Sequence, residues 1–263
     1  MKTKFFYFTL AVLATLVITG CGKKQGSETS EQRATSAPAA TVDPSTAGFV
    51  TGTVTLDGTP PVLKPINMSA EPCCQKAHSG PVVPPEVVTG EKGVLANVVA
   101  CIRSGLSDYS FETPKDLVTL NQQGCMYDPH VVARMAGRTL GVKNTDQTTH
   151  NIDPMPKDNR EWNKSQPSGA APMDDSFARG ELAIPVKCNV HPWMKSYIFV
   201  LKNPYFAVTS RTGPFELENL LSGMYTIGAW QEKYGTVEQT VTIGPKESKA
   251  ISLTFKAAGS SGD

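Results

Sequence analysis

From Gly48 onward the chain is written in short apolar runs, each cut off by Gly, Pro, Asn or Asp. No stretch keeps the 3.6-residue apolar period that an ordinary helix needs. "GFVTGTVTLD" (48–57) instead alternates apolar and polar residues, the mark of a strand with one buried face. "ELAIPVKC", "SYIFVLK", "GPFELENLLSGMYTIGAW", "GTVEQTVTIG" and "SKAISLTFK" read as further strands, as does Val94–Ile102, "VLANVVACI", which is apolar enough to be buried on both faces. "HVVARMAGRTLGVKNTD" reads as strand, turn at Gly137, strand, and Asp57-Gly58 is a dipeptide suited to a hairpin. Residues 153–180, polar and rich in Pro, Gly and Asp, read as a long loop with at most one short helical turn. With 22 glycines, 20 prolines and 40% hydrophobic residues in 263, the chain can fill one or two cores. The expected fold class is all-β, of the sandwich type.

The N-terminus is a separate unit. Lys2 and Lys4 precede an uncharged apolar run from Phe5 to Thr19, too short to span a membrane as an ordinary helix. It ends in "VITGC", which resembles the lipobox of bacterial lipoproteins. The resemblance implies a signal peptide at 1–20, cleavage before Cys21, and a lipid on its sulfur. Gly22, where an Asp would favour inner-membrane retention, points to the outer membrane. Residues 22–47 contain one valine and no larger hydrophobe, so 21–47 is expected to be a disordered tether reaching roughly 25–30 Å. Removing residues 1–20 leaves 23 basic against 24 acidic side chains, a charge of −1. That excludes the basic excess of a nucleic-acid binder.

"KCNVHPWM" (187–194) sets a thiol, an imidazole and a thioether on one short loop. Cysteine with two histidines and a weak axial methionine is the donor set of copper electron-transfer sites, and a ligating Met does not suit zinc. The second imidazole must come from His78, His130 or His150. His150 stands in "LGVKNTDQTTHNI", a strand, a polar turn, then His-Asn. Its pattern of Asn144, Asp146, His150 and Asn151 resembles the upstream ligand loop of cupredoxins. "C-x-x-H-P-x-M" resembles the downstream loop of the amicyanin-like members. The match covers about residues 115–203, and a cupredoxin domain, a Greek-key β-sandwich, is expected over 113–203.

The resemblance implies one mononuclear copper held by His150, Cys188, His191 and, weakly, Met194, with Asn151 tying the two loops together and supporting a hydrogen bond to the cysteine sulfur. It also implies that His191 reaches the surface through an apolar patch, to which Pro192 and Trp193 contribute; the alternative makes Trp193 a core side chain. A dinuclear copper loop would need a second cysteine where Ile184 and Pro185 stand, and a multicopper oxidase needs more than the four histidines present.

"TSRTGPFELENLLSGMYTIGAWQEKYG", with an opening at Gly52–Pro61, is similar to the regulatory-like (transthyretin-like) β-sandwich of carboxypeptidases, Leu221-Ser222 replacing the usual Pro-Pro. This implies a non-catalytic domain made of 48–112 and 204–257, with the cupredoxin inserted; the alternative makes 48–112 an extension of the cupredoxin. Besides Cys21 there are five cysteines, an odd number, so at least one is expected to be unpaired or otherwise used. Four outside the copper loop allow two disulfides. Pairing adjacent Cys73 and Cys74 is strained, and two connectivities stay open. Related exported lipoproteins favour Cys74–Cys125, leaving Cys73–Cys101; the rival use of Cys73, Cys74 and His78 is a second metal site.

No nucleophile–base pair stands near a plausible Gly turn and no phosphate loop is present, so an enzyme is not expected. The expected function is an exported, lipid-anchored, monomeric copper protein of the cell envelope. It carries single electrons between periplasmic or surface redox proteins. The alternatives are copper handling or sensing, and a surface lipoprotein with a vestigial site.

Overall fold

The computed structural model describes residues 42–257 except 44 and 213. The expected signal peptide at 1–20, Cys21 and most of the expected tether lie outside the described residues. The rest is all-β, as expected, with one helix of five residues, α1 (Pro72–Lys76).

The strands form two pairs of sheets. The early strands are β1 (Gly48–Asp57) and β2 (Val99–Ser104); the middle ones are β3 (Val118–Gln123), β4 (Met126–Asp128), β5 (Val131–Met135), β6 (Leu140–Asn144), β7 (His150–Pro154), β8 (Lys164–Gln166), β9 (Met173–Asp175), β10 (Glu181–Lys187) and β11 (Lys195–Leu201). The last are β12 (Phe206–Val208), β13 (Phe215–Leu220), β14 (Gly223–Gln231), β15 (Gly235–Ile243) and β16 (Ser248–Lys256). Early and late strands combine as β13-β1-β16 and β12-β2-β14-β15, whereas the middle strands pair only among themselves, as β4-β3-β6-β9 and β5-β11-β10-β7-β8.

Each pair of sheets encloses its own core. In the first, β1 points Val50, Val54 and Leu56 inward and leaves Thr51, Thr53 and Thr55 half-exposed, the alternation read from the sequence. Each inward Val or Leu contributes about 1.5–3 kcal/mol. Gly52 is required there because the ring of Phe215, its partner on β13, lies where a Cβ would be. The second core gathers Leu120, Val142, Ile152, Ile184 and Ile198. A third cluster, Val99, Cys101, Val131, Phe199 and Leu201 with Trp230, draws side chains from both.

Four expectations change. Asp57-Gly58 makes no hairpin, because β13 and β16 already occupy both edges of β1. Gly58 turns the chain away at φ +96° and Pro60-Pro61 offer no N–H for a ladder. The Val94–Ile102 strand begins only at Val99, after Asn97 in the left-handed region at φ +59°. Residues 153–180 contain no helical turn; they add short strands β8 and β9 to the edges of the two middle sheets. Within 48–112, Ile66, Met68, Cys74 and Val82 pack into the second core, so residues 66–82 lie over the middle strands as a cover, while β1 and β2 stay in the first pair of sheets.

The cysteines correct one pairing. Cys74 and Cys125 are bonded, with Cα atoms 5.4 Å apart. Cys73 and Cys101 are both free. Cys73 is exposed on α1, while Cys101 faces into the third cluster on β2, where burial pushes its thiol up to about 11.

Candidate metal centre

The centre is built from two loops at one end of the middle sheets. In the first, Asn144 at the end of β6 shapes the turn: its Oδ1 accepts from the Asp146 N–H at 3.0 Å, and its Nδ2 donates to Thr148 O and Gln166 O, both at 2.8 Å. The turn delivers His150 to the start of β7, fully buried.

The second loop joins β10 to β11 and closes on itself. The Cys188 N–H donates to Met194 O at 3.3 Å, and the Met194 N–H to His191 O at 3.0 Å. Cys188 is 3% exposed, and His191 and Met194 are fully buried. His150 Nδ1 and His191 Nδ1 face each other at 2.9 Å, and Cys188 Sγ lies 3.9 Å from His191 Nδ1. One donor atom each from His150, Cys188 and His191 lies within 4.8 Å of the others. Met194 lies in the same core cluster as Cys188.

These residues fit a soft or borderline metal. Metal–imidazole bonds of about 2.0–2.1 Å place two nitrogens roughly 3.3 Å apart at a tetrahedral angle, close to the observed separation. The tautomer is also set. Asp146 Oδ2 holds His150 Nε2 at 2.8 Å, so the proton sits on that side and the Nδ1 lone pair faces the centre. Burial opposes the charge of Asp146, but hydrogen bonds from His150 and the N–H groups of Cys125 and Gly124 hold its carboxyl below the usual range. Burial likewise opposes a thiolate at Cys188; His150 and the surrounding N–H groups outweigh it and lower the thiol. Burial and the neighbouring His150 both depress His191, which favours the neutral, metal-binding imidazole.

Asn151 ties the loops together, as the resemblance implied: its Oδ1 accepts from the Asn189 N–H at 2.6 Å and lies 3.4 Å from Cys188 Sγ. Tyr127 is a brace that sequence reading missed. Its buried hydroxyl lies 2.6 Å from Asn151 O and 3.0 Å from Lys187 O, one on each loop, and burial drives its pKa far above the ordinary value. Asp146 was visible in the sequence pattern without an assigned role.

The expected surface position of His191 is not what the structure shows. Its ring is fully buried, its Nε2 has no hydrogen-bond partner among the described residues, and a carboxylate oxygen of Glu71 lies 4.0 Å from that nitrogen. The Cys74–Cys125 sulfurs lie within 4.8 Å of a His191 nitrogen, so the cover segment carrying α1 is bonded down beside this imidazole. Pro192 is exposed. Trp193 turns inward onto the second core: its Nε1–H donates to Cys125 O at 3.0 Å and its ring lies 5.3 Å from His191. Among the described residues His78 joins no cluster of metal donors; its Nε2 meets Gly124 O at 2.7 Å, a strut from the cover to the Cys125 turn.

No protein-family model and no curated protein sequence matches the chain. Among solved structures, amicyanin from Paracoccus versutus is similar at 18% identity and a TM-score of 0.29, over 39% of this chain and 97% of its own. A purple cupredoxin from Nitrosopumilus maritimus aligns at 17% identity and a TM-score of 0.28, over 32% of this chain and 99% of its own. A copper-containing nitrite reductase from Thermus scotoductus aligns at 18% identity and a TM-score of 0.31; the alignment spans 34% of this chain and 23% of the reductase. At such scores they are neighbours only, and the site assignment rests on the donor atoms themselves.

Proposed function

We propose that the chain is a single-copper protein of the blue type that carries electrons one at a time. The observation behind this reading is the donor set: two imidazole Nδ1 atoms and one thiol converge in a buried pocket, with Met194 beside them. Copper there supplies a one-electron Cu(I)/Cu(II) couple. The chain holds the donors still between the two oxidation states. Asp146 fixes the His150 ring, Asn151 and Tyr127 lock one ligand loop to the other, and the backbone closes Cys188 onto Met194. Ligands that cannot rearrange make electron transfer fast, and outer contacts to the sulfur tune the potential.

Copper handling or sensing is the weaker reading, since buried donors and a disulfide-anchored cover beside His191 oppose metal exchange. We further infer that the protein is exported, lipid-anchored through Cys21 to the envelope, and works with redox proteins, its second sandwich being a non-catalytic module of the carboxypeptidase regulatory type. Voltammetry of the copper-loaded chain tests the carrier reading. A reversible one-electron wave supports it; tight copper binding without a reversible wave supports handling instead.

A further inference from the structure

If the centre carries electrons, they must cross its shell somewhere, and the His191 side is closed. His150, His191 and Met194 are all fully buried, and the cover carries Glu71 and the Cys74–Cys125 bridge against His191. Cys188 differs: it lines an open groove of about 500 Å³ with Asn189, Pro192, Tyr197, Lys187 and Lys195. The groove has an apolar floor and a basic edge. Lys187 and Lys195 are cross-strand partners on β10 and β11, so both stand on the same face. Val190, 47% exposed, and exposed Pro192 continue the apolar surface along the ligand loop.

The charges around the groove decide what fits it. Asp153 is nearly buried and lies 3.4 Å from Lys187 Nζ, which it partly neutralises. Glu232 is turned inward beside Tyr197 and hydrogen-bonded to His130, and Glu86 is paired with Lys233. Lys195 is exposed and forms no ion pair among the described residues. The outer edge of the groove therefore presents the unpaired ammonium of Lys195, with Glu232 held inside against His130, whereas the cover over His191 presents Glu71.

We propose that this groove is where electrons pass in and out, through Cys188, and that it fits a redox protein whose electron-donating or electron-accepting edge is ringed by carboxylates. The inference rests on the copper-carrier reading above. Complementary charge at a docking edge acts mainly on the association rate, raising it 10- to 1,000-fold at low salt.

Small complex ions can stand in for the partner. In the oxidation of the Cu(I) protein by hexacyanoferrate(III), one electron leaves the protein, the metal becomes Cu(II), and the reagent becomes hexacyanoferrate(II), with no proton transferred. Lys195→Glu should slow this reaction on the order of tenfold at low salt. The difference should fade above ~0.1 M salt, where the screening length falls to about 10 Å. Lys256→Glu, the same charge change on an exposed residue of β16, should alter the rate less than twofold. A second readout needs no electron transfer: hexacyanochromate(III), a redox-inert paramagnetic anion, should broaden the amide signals of 187–197 in the full chain. Broadening centred on 71–77, or equal rates for the two glutamate variants, would overturn the groove. Loss of the thiolate–copper band in the parent protein is a separate outcome that defeats the carrier reading, and the route with it.

Discussion

Asp146→Asn isolates the group that orients the centre. The carboxylate accepts three hydrogen bonds at once: from His150 Nε2 at 2.8 Å, Gly124 N–H at 2.7 Å and Cys125 N–H at 2.7 Å. An amide has one acceptor oxygen in place of two. Oδ2 serves both His150 Nε2 and the Cys125 N–H, and Oδ1 serves the Gly124 N–H. If the amide oxygen takes the Oδ1 place, the NH₂ opposes the Cys125 N–H and donates to His150 Nε2, pushing the imidazole proton onto Nδ1, where it blocks the metal. If the oxygen takes the Oδ2 place, it keeps His150 and Cys125, and the NH₂ opposes the buried Gly124 N–H, which loses its acceptor. Losing such a partner typically weakens metal binding 10- to 100-fold, about 1.4–2.7 kcal/mol. The unsatisfied N–H adds about 1–3 kcal/mol of lost stability in the metal-free protein.

The pH dependence follows from the sign of the shift. The folded-state pKa of Asp146 is depressed, so its contribution is present above the unfolded value near 3.8 and is lost as pH falls through the folded value. Asp146→Asn should therefore flatten the acid limb of the stability curve. Copper competition against a chelator, with thermal unfolding of the apo chain from pH 3 to 7, measures both effects. Affinity within twofold of the parent would refute the orienting role, and an unchanged acid limb would refute the hydrogen-bond accounting.

Met194→Leu conserves volume at a fully buried position and should cost under about 1.5 kcal/mol; removing the thioether takes a donor from Cu(II), so the reduction potential should rise, as voltammetry would show, and an unchanged potential would exclude Met194 as a ligand. Arg134 is fully buried over the Phe177 ring at 5.7 Å, its guanidinium has no hydrogen-bond partner among the described residues, and burial lowers it to about 10. Its charged form is thus disfavoured by folding below pH 10, and Arg134→Met should stabilise the protein at pH 7 by about 1–3 kcal/mol in denaturant unfolding; destabilisation would mean that buried water satisfies the guanidinium. Alkylation and peptide mapping of the native chain should label Cys73, spare Cys101 and recover Cys74 joined to Cys125. Cys74→Ser with Cys125→Ser opens a loop of 51 residues and should cost up to about 4 kcal/mol.

What the sequence made legible is what neighbouring residues encode. Period-two alternation gave β1 its buried face, and the close spacing of Cys188, His191 and Met194 put them on one loop. The polar turn before His150 gave the other loop, and the structure brings the two histidines and the cysteine together. What it hid depends on contacts between distant segments. Tyr127 braces loops 24 and 60 residues away, and Glu71 lies beside His191, 120 residues further along the chain. Nothing local in "AEPCCQKAH" says that it covers a metal loop, so His191 was expected at the surface. The Cys73–Cys101 pairing failed for the same reason: an odd cysteine count says only that at least one thiol is left over, not which core each one enters, and three are free among the described residues. Asp57-Gly58 reads as a hairpin only while the neighbours of β1 are unknown.

The central claim is that Cys188 binds copper as a thiolate beside two imidazoles. It is tested most directly by the visible absorption spectrum of the full chain titrated with Cu(II). The account predicts one equivalent of copper, an intense thiolate-to-copper band, and loss of that band in Cys188→Ser but not in His78→Ala. Copper bound without the band, or a band that survives Cys188→Ser, would contradict it.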